Sequence, residues 1–80
     1  MNALIIEDRP EQLSALKFML FRFCQQVKRI FSASTIEDGM AFLLKDKIDI
    51  IFLDIDRAEI AKLKSYNLKG KSCLNILLLN

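Results

Sequence analysis

The chain has 80 residues, enough for one domain, and 52% of them are hydrophobic, with only 2 glycines and 1 proline, so a packed fold is expected. The 12 basic and 10 acidic residues give a net charge of +2 without a long basic cluster, so nothing favours a nucleic-acid partner. The chain has no histidine and only two distant cysteines, Cys24 and Cys73, which excludes Ser/His and Cys/His catalysis and makes a zinc site unexpected.

The chain opens with a predicted strand and a predicted helix. Ala3–Ile6 is a short apolar run that ends at Glu7 and Asp8, which is typical of a buried strand. Pro10 suits a first helical turn, and a helix is predicted over Glu11–Cys24. Its apolar residues form a stripe with two flanks and one outlier: Leu13, Leu16, Leu20 and Cys24 in the stripe, Met19 and Phe23 on one flank, Phe21 on the other, and Phe18 pointing away. A helix this apolar is expected to contact neighbours on two sides.

A second strand, a second helix and a third strand follow. Val27–Ala33 mixes β-branched, aromatic and polar residues, which suits a strand near a sheet edge. Ser34–Glu37 has the Ser-x-x-Glu pattern of a capping box and predicts the start of a helix. The buried face of that helix is predicted from its apolar spacing: Ile36, Met40, Leu43 and Leu44. Ile48–Leu53 is almost continuously apolar and predicts the third strand.

The last third of the chain predicts a weaker helix over Arg57–Leu68, a glycine cap at Gly70 and a final strand over Cys73–Leu79. The resulting order, β-α-β-α-β-α-β with short connections, favours a parallel sheet with right-handed crossovers. Strands this apolar indicate a sheet that is covered on both faces. We therefore expect a small open α/β fold, with residues 1–80 forming a single domain.

The N-terminal residues lack the basic lead and long apolar core of a signal peptide. No apolar run approaches the ~20 residues that a membrane helix needs. We expect a cytoplasmic protein without a membrane partner.

Acidic residues follow two of the apolar strands. Glu7 and Asp8 lie at the carboxyl end of strand 1, and Asp54 and Asp56 at that of strand 3. If these strands are neighbours in the order 2-1-3-4, the acids converge at a switch point, where open α/β sheets bind ligands. Crowded carboxylates push at least one of their number towards protonation, and a magnesium ion relieves that repulsion. Such an ion can also carry a phosphoryl group, with an aspartate beside it as nucleophile.

The stretches ALIIEDRPEQLSAL and IDIIFLDID resemble the first half of a response-regulator receiver domain of two-component signalling, over residues 3–56. The resemblance implies a flavodoxin-like fold with Asp54 as the phospho-acceptor. It also implies a magnesium site formed by Glu7, Asp8, Asp54 and the backbone carbonyl of Asp56. A sensor histidine kinase or another phosphodonor is the implied partner. The LDID form is similar to receivers of LytTR-type DNA-binding regulators.

The second half of the chain departs from the receiver pattern. The stretch DRAEIAKLKSYNLKG has neither the Met nor the Pro that usually follows the acceptor. Receivers place Ser or Thr at the end of strand 4, where the nearest residue here is Asn80, and a lysine at the end of strand 5, which has no counterpart. We therefore expect a receiver truncated after strand 4, lacking the last strand and helices, with impaired phosphorylation-driven switching.

A second interpretation is a degenerate receiver that is not phosphorylated and acts through association. The stretch CLNILLL would then be an exposed apolar edge strand, and two copies would pair through this edge or through the uncovered sheet face. In this interpretation Asp8 is a helix N-terminal acid, Glu7 a supporting or solvent-facing carboxylate, and Asp56 a solvated loop acid.

A third interpretation is a fragment of a haloacid-dehalogenase-type phosphatase, in which Asp54 is the nucleophile and Asp56 the acid/base. That motif normally opens such a chain and continues with Thr or Val, whereas Arg57 and Ala58 follow here, and Glu7 and Asp8 are left unexplained. Nucleotide binding is disfavoured because no glycine-rich loop follows strand 1. We do not expect an enzyme.

Overall fold

The structure, a computed structural model, describes residues 1–54, 61–62 and 75–79. Within these residues the chain forms four strands and two helices: β1 (Asn2–Glu7), α1 (Pro10–Phe23), β2 (Arg29–Ala33), α2 (Ile36–Lys45), β3 (Ile50–Asp54) and β4 (Asn75–Leu78). The six elements correspond to six of the seven that the sequence predicts. The remaining one, the helix over Arg57–Leu68, lies outside the described residues except at Ala61 and Lys62, which are helical.

The four strands form one parallel sheet in the order β2-β1-β3-β4, which confirms the predicted order 2-1-3-4. Strand β1 lies between β2 and β3, side chains of α1 and α2 pack on its two faces, and Ala3–Ile6 is completely buried. This burial is the reason why the strand is apolar without alternation. The half-polar β2 is an edge strand, as its composition predicts.

Each face of the sheet packs against one of the described helices. On the α2 face the buried side chains come from the even positions of β1, the odd positions of β3, the inner side of α2 and the segment between α2 and β3: Leu4, Ile6, Ile36, Met40, Leu43, Ile48, Ile51 and Leu53. On the α1 face they are Ala3, Ile5, Leu20 and Phe52. The alternation along β1 follows from the strand period of two.

Helix α1 begins at Pro10, whose missing N–H costs nothing in a first turn, and Cys24 is its C-cap. The predicted stripe packs against the sheet: Leu20 is buried, and Leu13, Leu16 and Cys24 are partly buried beside it. The four remaining apolar side chains are exposed, namely Phe18, Met19, Phe21 and Phe23. The expected second contact of this helix is therefore not found within the described part of the chain.

Helix α2 departs from the prediction at two positions. Its N-cap is Thr35, whose Oγ1 accepts a hydrogen bond from the Asp38 N–H at 3.1 Å, so the predicted capping box at Ser34–Glu37 was wrong by one residue. Leu44, predicted to be buried, is 87% exposed. Gly39, which the apolar spacing did not include in the buried face, is buried next to β1.

Strand β4 confirms part of the predicted strand Cys73–Leu79, and it forms the second edge of the sheet. The predicted cap Gly70 lies outside the described residues. An ion pair of 3.2 Å joins Lys62 to Glu37 in the first turn of α2, which places Lys62 beside the start of that helix. Among the helices that the structure describes, none has the length and hydrophobicity that a membrane span requires.

Candidate functional site at the carboxyl edge of the sheet

The two central strands end side by side, and each ends in a carboxylate. Glu7 closes β1 and Asp54 closes β3, and the two residues are register partners across the strand pair. The chain leaves β1 towards β2 on one side, while β3 lies on the other, so this edge is the point where the strand order reverses. The structure thus brings Glu7 and Asp54 together at the position where open α/β sheets bind ligands.

Glu7 is the one buried charged residue of the described chain, with 2% of its surface exposed. Its Oε1 accepts two hydrogen bonds from Arg9, one from the backbone N–H and one from Nε, each at 2.9 Å. A buried carboxylate needs such partners, because desolvation strongly disfavours an unpaired charge. Glu7 is therefore turned towards the chain that follows it instead of pointing into solvent.

Arg9 also reaches across to the neighbouring strand. Its Nη2 donates to Asp54 Oδ2 at 3.0 Å, so one guanidinium bridges the carboxylates of β1 and β3. The Arg9 side chain is 55% exposed, against 1% for Glu7 and 19% for Asp54. The guanidinium consequently lies on the solvent side of the acidic pair.

The pKa values of the two carboxylates are shifted in opposite directions. Hydrogen bonding with Glu7, then burial, then repulsion by the Glu7 charge raise the pKa of Asp54 above its ordinary value, and Arg9 only partly opposes this. Burial tends to raise the pKa of Glu7 as well, but the hydrogen bonds from Arg9 and the interaction with Asp54 outweigh it, so the pKa of Glu7 is lowered. Of the four acids expected to converge, the structure brings Glu7 and Asp54 together, and Asp54 is the one whose pKa is shifted towards protonation.

Of the other predicted site residues, the structure describes only Asp8. Asp8 is exposed in the turn between β1 and α1. Asp56 and Asn80 lie outside the described residues. Within the described ranges, no group of three or more acidic or cysteine side chains is close enough together to hold a metal ion.

The acidic pair nevertheless offers the chemistry that magnesium prefers. Its donors are carboxylate oxygens from Glu7 and Asp54, and magnesium takes one or two carboxylates and keeps several waters. The guanidinium of Arg9 bonds to both carboxylates from their solvent side. The two carboxylates therefore suit a magnesium ion by donor type, and Arg9 supplies positive charge at the same side chains.

Arg9 is not among the residues predicted for the site. Its position, directly after Glu7 and Asp8 and before the proline that starts α1, is the signal that could have identified it. The chain turns there from the strand into the helix, and Arg9 is the N-cap with an extended backbone. That turn brings residue 9 back over the end of its own strand.

On the other side of β3 the neighbouring chain is apolar. The pairing of Leu53 with Leu78 and the bond from the Leu79 N–H to the Leu53 carbonyl at 2.8 Å place Leu79 beside Asp54. No described residue of β4 therefore offers a hydroxyl group to Asp54.

The comparison with solved structures finds a close likeness in fold. A structure of the MaeR response regulator bound to beryllium trifluoride superposes with a TM-score of 0.81 at 25% sequence identity, covering 99% of this chain. The chain spans 66% of the length of that protein's chain. No protein-family model matches the sequence, and no curated protein matches it.

Proposed function

We propose that this chain, which has the fold of a response-regulator receiver domain, accepts a phosphoryl group on Asp54. The observation that carries the proposal is the position of Asp54. It ends the central strand β3, beside Glu7 of β1, at the switch point of a fold shared over 99% of the chain with a response regulator bound to beryllium trifluoride. Beryllium trifluoride imitates a phosphoryl group, so its presence in that protein supports the same chemistry here.

The transfer uses one carboxylate oxygen of Asp54 as the nucleophile. That oxygen forms a bond to phosphorus while the bond from phosphorus to the donor's nitrogen or oxygen breaks, and the electron pair leaves with the donor. Only the ionised carboxylate attacks, and the raised pKa of Asp54 means that ionisation needs a higher pH than for an ordinary aspartate. Positive charge beside Asp54 therefore favours the reactive form.

We further propose a magnesium ion held by Glu7, Asp8, Asp54 and the backbone carbonyl of Asp56. When bound, the ion neutralises charge on the oxygens of the phosphoryl group. Glu7, which already accepts two hydrogen bonds, is the residue that would orient the other ligands from inside the sheet.

The phosphodonor in this proposal is a sensor histidine kinase or a small phosphorylated molecule, and the setting is the cytoplasm. We propose that the chain receives the group and does not turn over a substrate as an enzyme would. Leu79 lies beside Asp54, where a hydroxyl would be needed to hold the phosphoryl group, so phosphorylation-driven switching is impaired in this account.

The second candidate function is a receiver-like module that acts by pairing with a second copy. The observation in its favour is the apolar surface of the β4 edge, where Ile76, Leu77, Leu78 and Leu79 are each more than 40% exposed. An exposed apolar edge strand is a template for pairing. The two functions are compatible, since strand pairing would use the free edge of β4, which faces away from β3 and Asp54.

Incubation with acetyl phosphate and magnesium chloride, followed by intact-mass measurement, tests the proposal. The wild-type chain should gain one phosphoryl group, and Asp54→Asn should gain none. Asp38→Asn, which changes an exposed aspartate of α2 away from the acidic pair, is the matched control and should react like the wild type. A wild-type chain without an adduct, or an adduct that persists in Asp54→Asn, would contradict phosphorylation at Asp54.

A further inference from the structure

The guanidinium of Arg9 places a positive charge of the chain's own beside Glu7 and Asp54. Glu7 Oε1 accepts from Arg9 Nε at 2.9 Å, and Asp54 Oδ2 accepts from Arg9 Nη2 at 3.0 Å. A second, longer contact of 3.5 Å joins Nη2 to Glu7 Oε2. The guanidinium therefore uses the oxygens that a magnesium ion at this site would need.

The Arg9 side chain is held by these contacts alone among those that the structure describes. It is more than half exposed, and it makes no capping hydrogen bond to α1 although Arg9 is the N-cap residue. The backbone N–H of Arg9 bonds to Glu7 independently of the side chain. The contact of Arg9 with Asp54 is partly exposed and therefore weak, whereas Glu7 is buried and needs a positive charge beside it. An incoming cation would replace the charge that Glu7 loses, and the backbone bond would remain, so the guanidinium can leave without disturbing the helix start.

We propose that Arg9 is a tethered counter-cation that competes with magnesium for Glu7 and Asp54. This inference rests on the proposed function for the existence of the magnesium site. A guanidinium and a divalent ion cannot share these oxygens, since the two positive charges would repel at contact distance. Magnesium binding, and phosphorylation with it, then requires Arg9 to swing outwards, so Arg9 sets the concentration of magnesium at which the site fills.

Magnesium titration of the isotopically labelled chain, followed through the backbone amides of Glu7 and Asp54 by NMR, tests the competition. Arg9→Met removes the charge and keeps most of the side-chain length, and it should bind magnesium about ten-fold more tightly than the wild type. Arg22→Met removes a charge from the exposed last turn of the same helix, and it should stay within about two-fold of the wild type. Arg9→Lys keeps the charge but loses the planar fork, so its affinity should fall between the two.

A measurement on the wild type keeps the test independent of the variants. Saturation with magnesium chloride should move the Arg9 Nε–H resonance towards that of a free arginine side chain. An unmoved Nε–H resonance while the Asp54 amide shifts would show that the ion binds with Arg9 in place, and would overturn the inference. Equal or weaker magnesium affinity in Arg9→Met would overturn it as well, as would the absence of magnesium binding in every variant.

The outcome separates this inference from the proposed function. If the wild type is phosphorylated on Asp54 but Arg9→Met binds magnesium no more tightly, the competition is wrong and the phospho-acceptor stands. If Arg9→Met binds magnesium more tightly but no phosphoryl adduct forms, the competition stands and the phospho-acceptor is wrong.

Discussion

Asp54 is the proposed phospho-acceptor, and its environment is set by two neighbours of opposite charge. Glu7 raises the pKa of Asp54 through hydrogen bonding and repulsion, whereas Arg9 lowers it. Arg9 and Asp54 together keep Glu7 ionised inside the sheet, against the effect of its burial. The three side chains form one electrostatic unit, so a change in any of them alters the other two.

The direction of the Asp54 shift predicts a pH-dependent gain of stability in Asp54→Asn. Because the pKa of Asp54 is raised in the folded state above 3.8, ionised Asp54 costs the fold stability once the pH exceeds the folded pKa. Asparagine removes that charge, so the variant should be more stable than the wild type at pH 7.

The gain should disappear as the pH falls below 3.8, where Asp54 is protonated in both states. Urea unfolding followed by circular dichroism at several pH values measures it. A variant that is less stable than the wild type at pH 7 would mean that the bond to Arg9 outweighs the repulsion from Glu7.

The convergence of Glu7 and Asp54 could be predicted from the sequence because both residues end apolar strands, and parallel strands bring their carboxyl ends to one edge. The bridge by Arg9 could not, because it depends on how a single side chain folds back after the strand. Strand periodicity carries no information on such a turn. The LytTR-type resemblance of the LDID sequence stays a prediction.

At the scale of elements, the start of α2 determines which of its side chains face the sheet. Ser34 and Thr35 are both good cap residues, and the sequence pattern favoured the first whereas the structure uses the second. Successive residues of a helix are about 100° apart, so Leu43 and Leu44 point in different directions. The apolar spacing included both in the predicted buried face, but the Leu44 side chain is exposed to solvent. Apolar identity alone could not distinguish Leu43 from Leu44 at the margin of the buried face.

The cap assignment predicts unequal effects of two neighbouring substitutions. Thr35→Ala should destabilise the fold by about 1 kcal/mol, because the Asp38 N–H loses the acceptor that it has at 3.1 Å. Ser34→Ala, the matched control, should leave stability almost unchanged. Thermal unfolding of the two variants measures the difference. A larger loss of stability in Ser34→Ala than in Thr35→Ala would indicate that Ser34, not Thr35, is the N-cap.

Gly39 lies where α2 approaches β1 closely, so a side chain at this position would meet the strand. A Cβ atom at this position would lie 2.6 Å from Cδ1 and 3.0 Å from Cγ1 of the fully buried Ile6. Gly39→Ala should therefore cost about 1 kcal/mol net, because overpacking of roughly 1–3 kcal/mol exceeds the helix-propensity gain of about 1 kcal/mol.

Removal of the clashing methyl group provides the control for this prediction. In an Ile6→Val background, which lacks Cδ1, the alanine should cost less than in the wild type or should stabilise the chain. Chemical unfolding of the two single variants and the double variant gives the coupling. An alanine effect that is equal in both backgrounds would contradict the close approach of α2 to β1.

At the scale of the whole molecule, the fold follows from the order and polarity of its strands. The largely apolar strands β1 and β3 occupy the centre, and the less apolar β2 lies at an edge, in the order that the sequence predicts. Strand β4 is the exception: it is apolar, yet it is an edge strand whose described side chains are exposed. Strand composition predicted its existence but could not predict what covers it.

The exposed β4 edge predicts self-association. The wild-type chain should sediment as a dimer at micromolar concentrations, and Ile76→Lys should shift it towards the monomer, because an edge lysine opposes strand pairing. Leu44→Lys replaces an apolar residue that is even more exposed but lies on α2, and it should remain dimeric. A monomeric wild type, or a dimer that is lost in Leu44→Lys alone, would contradict pairing through the β4 edge.

The central claim is that Asp54 receives a phosphoryl group on a receiver-type fold. The most direct test is to treat the chain with acetyl phosphate and magnesium chloride, reduce it with borohydride, and locate the modified residue by peptide mass spectrometry. Borohydride converts an aspartyl-phosphate into homoserine, so homoserine is expected at position 54 and unmodified aspartate at positions 8, 38, 46, 49 and 56. Unmodified aspartate at position 54, or conversion at another position, would contradict it.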